Sequence, residues 1–136
     1  MMPNDMQIND LAKQLLQEPQ VDCPLSHYFC NGVYLRQITM PQDTFVIGKI
    51  HKTEHFNVVL KGKARVYMDG VVSDIEAPCI FASGVGVQKV LYIVEEMVWA
   101  TIHATNETDI AVLESELVHN SLSIEQSVFD LLVGGA

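Results

Sequence analysis

His51 and His55 stand four residues apart, between the strand-like runs Thr44–Ile50 and Phe56–Leu60, and a glycine turn follows at Gly62. Neutral imidazoles are good ligands for Zn, Fe, Ni or Mn. Two of them alone hold a metal weakly, so a third donor is needed, and His103 can supply it. Trp99, Thr101 and His103 share parity on one strand and therefore face the same side of a sheet. The alternate set, Val98, Ala100 and Ile102, is apolar too, so periodicity leaves open which side is interior. Glu54, Glu76 and Tyr92 are the nearby candidates for a general base.

A chain of 136 residues makes one domain with enough interior to fold without staples. No apolar run reaches the roughly 18 residues that a membrane span needs. The segment Met1–Asp10 is polar and acidic, which predicts no signal peptide. Cys23, Cys30 and Cys79 form no C-x-x-C pair, and their odd number argues against a disulfide framework; Cys23 and Cys30 could hold a metal but, without nearby partners, read as ordinary buried thiols. A net charge of −9 argues against nucleic acid and anionic membranes as partners. Charge is uneven, however. Residues 49–89 carry six of the eight cations against four acids, net +2, whereas 95–130 carry eight acids and no Lys or Arg. Two such regions can complement one another within a chain or between subunits.

The elements that must position the histidines are strands. Val33–Thr39, Thr44–Ile50, Phe56–Leu60, Lys63–Met68, Val71–Ile75, Cys79–Ala82, Lys89–Val94 and Met97–Ala104 alternate with turn residues, and Asp69-Gly70 is a tight hairpin signal. Short strands at this spacing predict an all-β core, an antiparallel barrel or sandwich over 33–104. Before it, Ile8, Leu11, Leu15 and Leu16 predict a short helix over 8–17, ended by Pro19, and 19–32 reads as an ordered loop anchored by Tyr28 and Phe29. After it, Thr108 caps a helix over Asp109–Val118. Ser123 and Gln126 form a capping box for a second helix bearing Ile124, Val128, Leu131 and Leu132. The expected organisation is an N-terminal helix and arm over 1–32, the barrel over 33–104 and a helical extension over 105–136. Apolar helices at both ends need faces to bury, which predicts a homo-oligomer. Trp99 reads as a core or pocket wall, and His27 and His119 as isolated surface histidines.

Gly48–Gly62 and Phe81–Lys89 resemble the two motifs of the cupin superfamily, whose small jelly-roll barrels hold a metal or a small ligand between their sheets. With Gly62 as the closing glycine of the first motif, His55 falls at the Glu ligand position, His51 at the second His and Lys49 at the first. In the second motif Gly84 stands at the Pro position, Gly86 is the Gly, and Lys89 takes the place of the His. Gly48–His55 together with Trp99–His103 looks like small single-domain cupins encoded by tailed bacteriophages.

The resemblance implies three readings of the pocket. His51, His55 and His103 bind one divalent transition metal; or Lys49 and Lys89, with Trp99 and Thr101, take a small anionic ligand; or the site is inert, its histidines paired with Glu54 or Glu76. Protonated lysines repel a cation, so the first two readings compete. The expected function is a non-enzymatic, oligomeric structural or accessory component, a virion or assembly protein located in the host cytoplasm or the virion, with other virion proteins as partners. The alternatives are a metal-dependent isomerase or oxygenase and a barrel that sequesters an anion.

Overall fold

The structure is a computed structural model; it describes residues 19–48, 52–68, 70–86, 89–116 and 122–125. The N-terminal helix expected over 8–17 lies outside the described residues. The described chain runs β1 (Leu25–Cys30), β2 (Val33–Met40), β3 (Thr44–Ile47), β4 (His55–Met68), β5 (Val71–Glu76), β6 (Cys79–Ser83), β7 (Lys89–Ala104), α1 (Ile110–Glu116) and β8 (Leu122–Glu125). All pairings are antiparallel. An all-β antiparallel core is what the strand periodicity predicted, and the jelly roll is what the resemblance implied.

Two long strands organise it. β4 and β7 pair along their whole length, with register shifts between Val59 and Ala64. On one side of that corner the order is β1-β2-β7-β4-β6; on the other it is β8-β3-β7-β4-β5. The two halves fold together like a wedge, and the irregular turn of β4 and β7 forms its closed edge. Gly62 sits at φ +92°, and a Cβ there would run into the Glu96 carbonyl and come 2.8 Å from Met97 Cα, so only glycine admits the close approach of the strands. The bulge also switches parity: His55, Asn57 and Val59 point inward before it, Ala64 and Val66 after it.

Cross-strand rows fill the interior in layers. Near the closed edge, Met40, Val46, Val59, Ala64, Val66, Leu91, Ile93, Met97 and Trp99 form one buried apolar cluster. Towards the open end the rows become polar: Arg36, Thr101 and Asn57 stand in one, and Tyr34, His103, His55 and Ser83 in the next. The helix α1 lies over this end, where Leu113 packs on Tyr34 and Glu114 pairs with Arg36.

Several expectations are corrected. The segment 19–32 contains a strand, β1, because its edge pairing with β2 supplies backbone partners that the proline-flanked sequence does not advertise. The separately expected strands on either side of Gly62, and on either side of Glu95-Glu96, are single strands bent at the corner. Asp109, not Thr108, caps α1: its Oδ1 accepts the Ala111 and Val112 N–H groups. Leu122–Glu125 is an edge strand on β3 rather than the start of a helix, and residues 126–132 of that expected helix lie outside the described residues. Cys30 is exposed, whereas Cys23 and Cys79 are half-buried.

Candidate functional site

The open end of the wedge gathers the polar interior. Inward parity on β7 belongs to Met97, Trp99, Thr101 and His103, which settles the side that periodicity left open. His103 is 1% exposed and His55 4%. Their rings stack at 5.1 Å, and Tyr34 stacks on the far face of the series, 5.8 Å from His103. Tyr34 in turn meets His27, whose Nδ1 lies 2.7 Å from the phenol oxygen, so His27 belongs to this column and is not an isolated surface residue.

Burial sets the protonation. His103 is pushed down to about 4, first by burial and then by the neighbouring charges of His55, Arg36 and Lys89. His55 is also lowered, mainly by burial, although its hydrogen bond to the Thr53 carbonyl works the other way. That bond, Nδ1–H to oxygen at 3.1 Å, selects the tautomer with the lone pair on Nε2. His103 Nε2 lies 2.9 Å from Thr101 Oγ1. Tyr34 is raised to about 12 by burial. At neutral pH His55, His103 and Tyr34 are therefore uncharged.

The cations lie beside it. Arg36, on the inward face of β2, is 9% exposed and holds Glu114 at 3.3 Å; Lys89, at the first position of β7, is 7% exposed. Arg36, Lys89, Asn57, Trp99 and Thr101 border one small open pocket of about 70 Å³. Asn57 is fully buried and spent on structure: it donates to Ser83 Oγ at 2.9 Å and accepts the Trp99 indole N–H at 3.0 Å. A larger depression of about 460 Å³ at the rim is bordered by His55, His103, Phe56 and Ile102.

Of the residues named from the sequence, the structure brings His55 and His103 into contact and sets Lys89, Trp99 and Thr101 around one pocket. His51 and Lys49 lie outside the described residues. Tyr92 is turned away from the interior and donates to Asp43, and Glu76 stands opposite Lys63 on the β5 edge. Sequence reasoning missed Arg36, Tyr34 and Asn57. A usable signal existed: Tyr34, Arg36, Ile38 and Met40 share parity, so an arginine sits on the apolar side of a strand.

Of the three histidines expected to hold a divalent metal, His51 lies outside the described residues, so the described residues supply two of that set. Two imidazoles converge; among the described residues no third His, Cys, Asp or Glu joins them, and two buried cations occupy the same interior.

No family model matches the sequence, and no curated protein does. Solved structures do resemble it. An RmlC-like cupin from Shewanella frigidimarina superposes with a TM-score of 0.55 at 15% identity, over 69% of this chain and 89% of that one. A cupin superfamily protein from Desulfitobacterium hafniense gives 0.54 at 9% identity, over 66% and 84%. A putative ethanolamine utilization protein Q from Salmonella typhimurium gives 0.53 at 10% identity, over 64% and 72%. The fold is that of the cupins, a double-stranded β-helix of the RmlC-like kind.

Proposed function

We propose that this protein is a non-enzymatic cupin that works as an oligomeric accessory or structural component, its barrel serving as a rigid block. The observation that carries the reading is an apolar outer sheet face. Phe56 lies beside Ala82 and Ile102, and Val58 beside Ile80. Ile80 is 72% exposed, Phe56 56% and Leu60 55%. Isolated apolar residues on a surface are ordinary, whereas a contiguous face on one sheet marks an interface. The occupant we propose is a second copy of this chain. The face ends at an exposed ion pair, Lys61 Nζ to Glu96 Oε2 at 2.8 Å, a polar rim beside which a two-fold neighbour can bury the aromatic and branched side chains. The setting we propose, a phage particle or its assembly in the infected cell, is supported by the resemblance of Gly48–His55 and Trp99–His103 to phage-encoded cupins.

Sedimentation velocity and native mass spectrometry test the reading. The protein is expected as a dimer or larger ring at micromolar concentration, and the Phe56→Glu, Ile80→Lys double variant as a monomer with an unchanged far-UV spectrum. A wild-type monomer at about 100 µM, well above the Kd of a standard-size interface, overturns it. Detection of the polypeptide in purified particles tests the setting. The metal-dependent alternative draws support from the stacked, neutral His55 and His103. Elemental analysis decides it: a first-row metal near full occupancy that a His55→Ala variant loses favours the enzyme class.

A further inference from the structure

The half of the wedge ordered β1-β2-β7-β4-β6 ends in a bare edge. Among the described residues β1 pairs with β2 alone, in an unbroken register from Leu25 opposite Ile38 to Cys30 opposite Val33. Opposed residues share a face, so Leu25, His27 and Phe29 have the inward parity of Ile38, Arg36 and Tyr34. On β2 that parity brings burial: Tyr34 is 1% exposed and Met40 3%. On β1 it does not, for Leu25 is 40% exposed and Phe29 41%. Two apolar side chains on the core side of the sheet stay open because the sheet stops one strand too soon.

Edges are ordinarily guarded by charge, proline or a bulge. β5 carries Asp74 and Glu76, and β8 carries Glu125. The six residues of β1 include no charged side chain and no proline, and no bulge interrupts its pairing. β6, the other edge of this half, also lacks charge, but its inward residues Cys79, Phe81 and Ser83 are already half-buried or buried. The uncovered core-side pair singles out β1.

This strand complements itself. A two-fold axis normal to the sheet keeps inward side chains inward, so it must pass through a residue rather than between two. With the axis at His27, Leu25 stands against the partner's Phe29 on the inner face, and Ser26 against the partner's Tyr28 on the outer. An axis at Tyr28 would set His27 against the partner's Phe29 and leave Leu25 open. The first register covers both exposed apolar residues, and no charge opposes a like charge in it.

We propose that β1 pairs antiparallel with β1 of a second copy about a two-fold axis at His27, joining two five-stranded halves into one continuous sheet. The contact is separate from the outer sheet face and rests on the proposed function only in that both join copies of this chain. A ladder over residues 25–29 falls well short of the roughly 1,600 Å² of a standard interface, so it acts beside the outer-face contact and does not by itself hold dimers at micromolar concentration. Its axis is normal to the sheet, whereas that of the outer-face contact lies in the sheet plane. Where the two axes intersect, the contacts close into a tetramer of two stacked sheets.

The test is disulfide trapping in the full-length protein, with the exposed Cys30 replaced by serine. Leu25→Cys and Phe29→Cys are prepared separately and then mixed under mild oxidation. In the proposed register the Cα atoms of positions 25 and 29 on opposed strands lie about 4.5–5.5 Å apart, within disulfide range, whereas two copies of position 25 lie about 14 Å apart. The mixture is expected to give the 25–29 link, mapped by peptide mass spectrometry, in at least tenfold higher yield than either variant alone. Ser26→Lys with Tyr28→Lys, both at exposed positions, sets cations against one another and is expected to cut that yield tenfold, with circular dichroism confirming the fold. The link is expected to persist in the Phe56→Glu, Ile80→Lys background, where the outer face is disabled. A mixture that links no better than the single variants, a yield that the lysines leave unchanged, or a link lost with the outer face overturns the inference. A stable wild-type dimer without the link also overturns it, leaves the outer-face reading standing, and assigns the β1 edge to another strand or to solvent.

Discussion

Acidification from pH 7 to pH 5 isolates the buried histidine column. In the unfolded chain His103 titrates near its ordinary value of 6.5, whereas in the folded protein it takes a proton only at about 4. A folded pKa below the unfolded one means that the unfolded state binds more protons through this window. Stability is therefore whole above pH 6.5 and drains away as pH falls towards 4. At pH 5 the unfolded imidazole is almost fully protonated and the folded one about a tenth so; integrating the difference from pH 7 gives about 2 kcal/mol. His55, also lowered by burial, adds to the loss with the same sign. Against the 5–15 kcal/mol typical of a domain, and a urea slope of about 1–3 kcal/mol per molar, the midpoint of unfolding falls by about 1 M. Urea titrations at pH 7, 6 and 5, with chelator present, measure the effect, and His103→Gln should remove most of the slope. A midpoint that moves by less than about 0.3 M in the wild type, or a His103→Gln variant that keeps the full slope, refutes the reasoning.

Three further substitutions probe the frame. Gly62→Ala forces a side chain into the Glu96 backbone at a left-handed φ, and is expected to destabilise by more than about 3 kcal/mol; a loss under 1 kcal/mol by urea unfolding contradicts the bulge assignment. Leu113→Ala leaves a void over Tyr34 at a cost of about 2–3 kcal/mol, and hydrogen exchange should show α1 opening more often while the barrel strands stay protected. Trp99→Phe keeps an aromatic ring, though a smaller one, and removes the donor to Asn57, orphaning a buried amide oxygen; a stability loss of at least about 1–2 kcal/mol is expected, and a loss below 0.5 kcal/mol argues that water replaces the bond.

Strand existence was legible wherever alternation ran between turn residues: Val33–Met40 and the Met68–Val71 hairpin both follow the written pattern. β1 was not legible, because Pro24 and Gly32 flank it and its partner Val33–Met40 is the only reason it extends. The corners at Gly62 and Glu95-Glu96 look like strand ends in one dimension, since a bulge and a loop interrupt alternation in the same way. Ser123 to Gln126 carries a helix-start pattern, yet the open edge of β3 offers Leu122–Glu125 a ladder of backbone hydrogen bonds, and long-range pairing overrides the local preference. At the site, the histidines and Lys89 announced themselves by type. Arg36 did not, because its importance comes from facing inward.

The sequence by itself determined the all-β architecture, the chemical kinds gathered at its polar end and the glycine that the corner demands, because alternation, turn chemistry and side-chain type are local properties. Only the tertiary structure decided which face of β7 is interior, that Arg36 and Lys89 approach one pocket from opposite halves, and that Glu114 arrives from the covering helix to meet one of them. Those facts depend on how two bent strands close a wedge, and burial and electrostatic neighbourhood exist only once residues distant along the chain share a space.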